Sequence, residues 1–127
     1  MRESPDPRVM AWAQGVDPCD LTICVVTVEE IERGLGRLPD GRRRWDLDQR
    51  WRNLVAAYAD SIEVYDLLAA QHAADILVAA EAGGRPMSLA DAQIAGICRA
   101  GHHELATRNV SDFAGAAGLT IINPFTG

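Results

Sequence analysis

A chain of 127 residues with 48% apolar content reads as one soluble globular domain, long enough to bury most of its apolar surface. The net charge of −6 argues against bulk electrostatic adhesion to nucleic acid. No apolar run approaches the length needed to cross a bilayer. Cys19, Cys24 and Cys98 form an odd set without CxxC spacing. They suit small buried thiols in a reducing cytosol, so a cytoplasmic location is expected. The polar, Pro-rich start shows no signal-peptide pattern.

Asp6-Pro7 reads as a helix start with Pro at the first helical position, and that helix would carry Val9, Met10, Trp12 and Ala13. Leu21 to Val26 is a continuous apolar run, β-branched at its end, and predicts a buried strand. Thr27 would cap a short helix containing Glu30, Ile31 and Leu35, weakened by Gly34 and Gly36. Pro39-Asp40-Gly41 is a turn. Arg42 to Ala59 predicts a longer helix that packs through Trp45, Trp51, Leu54, Val55 and Tyr58. Ile62 to Tyr65 predicts a short strand, and Leu67 to Ala82 a helix closed by Gly83-Gly84.

Ser88 caps the next helix, with Asp91 three residues on in a carboxylate version of the capping box. Asp91, Ile94, Ala95 and Cys98 share one face, so Asp91 heads the buried stripe at the positive end of the helix. Gly101 closes it. Glu104 to Ala106 predicts a strand, Thr107 to Asp112 a turn, and Thr120 to Ile122 a last strand. Alternation of strands and helices predicts an α/β fold with a mainly parallel sheet. Ligands of such sheets gather beyond the carboxyl ends of the strands. Glu30, Asp91, Asn109 and Asp112 all follow strands or open helices there.

Crowded carboxylates repel each other, and a divalent cation relieves the repulsion. Mg²⁺ or Mn²⁺ is the fitting ion, because both prefer hard oxygen ligands. Such a centre neutralises a phosphodiester and lowers the pKa of a bound water. Thr107 and Asn109 are placed to orient water or phosphate, and Arg108 to touch phosphate. Each acid also has a plainer role, Asp91 as a cap, Asp112 as a turn residue and Glu30 as one more acid beside Glu29 and Glu32. Other chemistries are weaker. His102 and His103 are adjacent and point apart, His72 stands alone in a helix, and Ser88 lacks a placed base. All 12 basic residues are Arg, and seven lie between Arg33 and Arg52 with Trp45 and Trp51 among them. That cluster is either a solvated helix face or a contact surface for RNA or an acidic partner segment.

Four pieces in order, Thr27 to Arg44, Arg85 to Gly101, Glu104 to Phe113 and Ile122 to Phe125, resemble the PIN-domain ribonucleases, in particular VapC-type toxins of toxin–antitoxin pairs. The resemblance covers nearly the whole chain. It implies a single PIN-like domain over 1–127 with a three-layer α/β/α sandwich. It also implies an endoribonuclease dependent on Mg²⁺ or Mn²⁺, with an acidic site built on Glu30, Asp91 and Asp112. Other PIN branches carry an acid where this chain has Asn109, and Asn109 followed by Asp112 is similar to the TRNVxDF version of the motif. The resemblance further implies a cognate antitoxin that blocks the site, and a homodimer.

The departure lies at the N-terminus, where family members open with an apolar strand ending in an Asp-Thr-Asn-like motif. MRESPDPRV resembles the segment just after that motif. Either the start codon is assigned too far downstream or the gene is truncated. Four large aliphatic side chains contribute about 6–12 kcal/mol when buried, against a whole-domain stability of about 5–15 kcal/mol. A chain starting at Met1 is therefore expected to be unstable alone or to need a partner strand, and to bind metal weakly. The alternative function is a catalytically impaired PIN-like module that binds an antitoxin without cleaving RNA. An α/β domain binding a small anion at a helix N-terminus has only generic support.

Overall fold

The computed structural model describes residues 23–107 and 109–123. The helix expected from Asp6-Pro7, the first residues of the expected strand at Leu21, Cys19, Arg108 and the final Pro124-Phe125 lie outside these residues. The chain divides into two compact units, one ending at Glu63 and one beginning at Val64.

In the first unit, strand β1 (Ile23–Cys24) pairs in parallel with β2 (Ile62–Glu63), with Ile23 opposite Ile62 and Cys24 opposite Glu63. Helix α1 (Val25–Arg37) starts directly after β1. Two expectations are corrected here. Thr27 is not the cap, because the helix already begins at Val25 and Cys24 holds the cap position without a side-chain cap bond. The Cys24 Sγ lies 3.2 Å from Thr27 Oγ1 inside the first turn. Nor is α1 short, since it runs for 13 residues through both Gly34 and Gly36. The stripe Val28, Ile31, Leu35 and Leu38 packs on the core, and that burial outweighs the roughly 1 kcal/mol that a glycine costs in a helix. Leu38 is extended (φ −72°, ψ 143°), as Pro39 requires of the residue before it.

Gly41 holds φ 155° and ψ −175°, a region essentially confined to glycine, and so turns the chain into α2 (Arg42–Tyr58). Leu47, Trp51, Leu54 and Tyr58, spaced four, three and four apart, form the buried face of α2. With Ile23 and Leu35 they make the core of this unit. Trp45 was expected to join them and does not. It is 63% exposed, because it stands two residues before Leu47 and falls on the opposite side of the helix. A single 3₁₀ turn (Ala59–Ser61) carries the chain into β2, which ends before the exposed Val64 and Tyr65.

The second unit is built on two helices. In α3 (Leu67–Ala82), the Asp66 carboxylate accepts the Ala69 N–H at 2.9 Å and caps the start, and Gly83 closes the end. Helix α4 (Leu89–Ala100) is capped by Ser88, whose Oγ accepts the Asp91 N–H at 3.1 Å, and is closed by Gly101. The facing surfaces are small residues, Ala69 and Ala73 on α3 against Ala92, Ala95 and Gly96 on α4, all buried. Their size brings the backbones close. A Cβ on Gly96 would lie 2.5 Å from the Ala69 carbonyl oxygen. Strands β3 (Leu105–Ala106) and β4 (Ile121–Ile122) pair in parallel, Leu105 opposite Ile121 and Ala106 opposite Ile122. Between them a 3₁₀ turn (Val110–Phe113) packs on α4 and β4, anchored by the buried Phe113. The α/β class and the parallel pairing expected from sequence are both present. Among the described residues, no helix is long and apolar enough to cross a membrane.

Candidate active site

Glu30 sits half-buried in α1 of the first unit. Its two acidic neighbours have structural work. Arg33 donates from Nε and Nη2 to both oxygens of Glu29 at 2.8 and 2.9 Å. This fork holds the Glu29 carboxyl below its usual range, by hydrogen bonding first and then by the charges of Arg33 and Arg37. Glu32 accepts the indole N–H of the buried Trp51 at 2.6 Å, which satisfies a polar atom the core would otherwise strand.

Asp91 and Asp112 belong to the second unit. Asp91 lies in the first turn of α4, half-buried, at the head of the buried stripe Ile94, Ala95 and Cys98. Its backbone N–H is taken by Ser88, so the Ser88 role is capping, as expected from spacing. Asp112 lies exposed on the 3₁₀ turn that packs on α4, one residue before Phe113. The structure thus brings the elements bearing Asp91 and Asp112 together.

The turn that delivers Asp112 is tied internally. Thr107 Oγ1 accepts the Asn109 N–H at 3.1 Å, and the Asn109 carbonyl accepts the Asp112 N–H at 3.1 Å. The half-buried Asn109 is thus tied through its backbone to both Thr107 and Asp112. The hard oxygen donors of Asp91 and Asp112 suit a Mg²⁺-type ion, which is commonly held by one or two carboxylates and water. Among the described residues, no three His, Cys, Asp or Glu side chains come together as a metal-holding group.

Sequence spacing gave no sign of one further residue. Arg99, near the end of α4, donates from Nε to His72 Nδ1 at 2.7 Å, from Nη1 to the Ala117 carbonyl at 3.0 Å and from Nη2 to the His72 carbonyl at 3.4 Å. The Asp75 carboxylate lies 3.6 Å from the same guanidinium. Arg99 thus ties α4 to α3 and to the segment that leads into β4. His72 is thus a packing partner of Arg99, accepting through Nδ1. His102 is exposed, as expected, and His103 is half-buried with its ring against Gly101.

No family model matches the chain. The chain is 34% identical over 125 residues to the VapC ribonuclease Y4jK of Sinorhizobium fredii, covering 98% of this chain and 89% of that protein. The chain belongs to the VapC ribonuclease family. It is also 30% identical, over 98% of its length and 89% of the relative's, to the plasmid stability protein StbB of Pseudomonas syringae pv. tomato. In three dimensions it matches the crystal structure of FitAcB from Neisseria gonorrhoeae with a TM-score of 0.79 and 27% identity, covering 99% of this chain and 91% of that one. Family membership places the α/β units within the PIN-type toxin fold.

Proposed function

We propose that this protein is an endoribonuclease toxin that cleaves RNA phosphodiester bonds in the cytoplasm and is neutralised by a cognate antitoxin. The observation that carries the proposal is the similarity to a VapC ribonuclease along 98% of the chain. The packing of the Asp91-bearing helix against the Asp112-bearing turn supports the choice of residues. Asp91, Asp112 and Glu30 are the acids of the reaction in this proposal, and Mg²⁺ or Mn²⁺ the cofactor. When bound, the ion supplies charge neutralisation at the phosphodiester and a water of lowered pKa. The protein's own part is positional. The Ser88 cap holds the backbone at Asp91, and the bonds from Thr107 to Asn109 and from Asn109 to Asp112 hold the backbone of the turn that carries the second acid. The Asn109 amide and Arg108 supply donors for phosphate oxygens. The antitoxin covers this acidic site, and the toxin assembles as a homodimer.

The test is cleavage of total RNA by the antitoxin-free protein, together with its Mn²⁺-dependent rise in melting temperature. Asp91→Asn and Asp112→Asn are expected to abolish cleavage and the Mn²⁺ response while keeping the metal-free melting temperature. Cleavage that survives both substitutions, or persists in EDTA, overturns the assignment of these acids and the ion.

A further inference from the structure

Helix α2 runs against the charge of the chain that contains it. It holds five Arg and two Asp, a local charge of +3 in a protein of net −6. Arg42, Trp45, Gln49 and Arg52 recur at intervals of three, four and three, which places them on one face, opposite the buried stripe of Leu47, Trp51, Leu54 and Tyr58. All four are exposed. The acids Asp46 and Asp48 flank this face. Arg44 is engaged elsewhere, donating to the Leu38 carbonyl and to Asp40, both at 3.2 Å. Among the described residues, Arg42 and Arg52 have no acidic partner.

An indole left 63% exposed on a helix that already buries Trp51 in its core calls for a ligand with a flat face. We infer that the Arg42–Trp45–Gln49–Arg52 face of α2 is a docking track for single-stranded RNA, an inference that rests on the ribonuclease reading above. A base stacks on Trp45, and Arg42 and Arg52 take phosphates on either side. The Gln49 amide lies between them as an adaptable donor and acceptor. The face is about 15 Å long at 1.5 Å per residue, a span of a few nucleotides. Arginine and aromatic side chains together are the combination that binds single strands, because every base offers a π-face and every nucleotide a phosphate. An acidic peptide would satisfy the two Arg residues but leave the indole without a planar partner. RNA uses all four side chains.

The test is fluorescence titration of the full-length protein with a short oligouridylate in EDTA, with the RNA run on a gel afterwards. Stacking is expected to quench indole emission. Trp45→Ala is expected to abolish that quenching and to weaken binding about 5- to 140-fold, the range for loss of one stacked base. Arg42→Gln is expected to lower the slope of log affinity against log salt by about 0.7, the value for one single-strand phosphate contact. Both variants are surface changes, and an unchanged unfolding midpoint verifies the fold. Affinity unaltered by both overturns the inference, as does equal quenching by duplex RNA, whose bases cannot splay onto the indole. Competition by an oligoglutamate peptide as strong as that by RNA would overturn it in favour of an acidic protein partner. Cleavage is scored separately with Mn²⁺. A protein that cleaves but binds equally well without Trp45 and Arg42 loses only this inference. One that binds through them but never cleaves loses only the ribonuclease reading.

Discussion

Gly96 is the position where a single methyl group should do most harm. A Cβ there would sit 2.5 Å from the Ala69 carbonyl oxygen and 2.8 Å from both the nitrogen and the Cβ of Ala73. Two of these three atoms are backbone, so no rotamer change relieves the clash. Ordinary contact begins near 3.4 Å, so α3 and α4 would have to part by about 0.9 Å. Overpacking of this kind costs about 1–3 kcal/mol, and the backbone contacts place Gly96→Ala towards the upper end. Gly→Ala within a helix returns about 0.8–1 kcal/mol of propensity. The expected net loss is about 1–2 kcal/mol, or a melting temperature lower by roughly 3–8 °C. Gly36→Ala is the control. It also lies within a helix, but its added Cβ meets nothing within 4 Å, so it should gain about 0.5–1 kcal/mol. Urea unfolding of both variants measures the difference. Ala73→Gly combined with Gly96→Ala should rescue only in part, because the Ala69 carbonyl remains in the way. A Gly96→Ala protein as stable as the parent would refute the close-approach argument.

Two other predictions follow from the polar contacts. Arg99→Ala should cost about 0.5–1.5 kcal/mol, chiefly because the part-buried His72 Nδ1 loses its donor, whereas water can replace the guanidinium at the exposed Ala117 carbonyl. Arg99→Lys should not restore this loss, since a single ammonium cannot span three acceptors; chemical unfolding of the pair decides the matter. Glu29 should titrate below 4.5 by NMR and return towards 4.5 in Arg33→Ala, with Arg33 the first cause of its shift. A carboxylate depressed in the folded state adds stability above its unfolded pKa that is lost as pH falls through the folded value. The pair is exposed, so its unfolding midpoint at neutral pH should hardly move in Arg33→Ala.

The helices with chemical punctuation were legible. Leu89–Ala100 is bounded by Ser88 and Gly101, both legible as a cap and a stop, and Leu67–Ala82 is closed by the legible Gly83, whereas its Asp66 cap is a finding of the structure. Short apolar runs were less legible because their period is ambiguous. Val25 and Val26 look like the end of a strand but form the first turn of α1, where the chain turns to bury Val28, Ile31 and Leu35. Trp45, expected among the packing residues, lies outside because its spacing from Leu47 and Trp51 puts it on the outer face. The Arg99–His72 contact spans 27 residues and has no local signature. For the acids, spacing placed Asp91 at a helix head and Asp112 after a strand, and the packing of those two elements is what the fold adds.

That packing gives Phe113 a role which stability alone does not describe. Asp112 is exposed and sits on a short turn, a weak support for a reacting group, yet the next residue is 2% exposed and fixes the turn against the unit. Phe113→Ala would remove about 3–5 kcal/mol, close to the whole stability of a domain, and so would not separate folding from function. Phe113→Leu keeps a buried apolar anchor and should cost under about 1.5 kcal/mol if the site repacks. The flat ring that locks the turn is nevertheless lost, and a site loosened by about 1 Å can lose on the order of 100-fold in rate. Cleavage should therefore fall by far more than the fraction unfolded accounts for, with kcat affected more than KM. Cleavage that follows only the folded fraction would show that the Asp112 turn is held without Phe113.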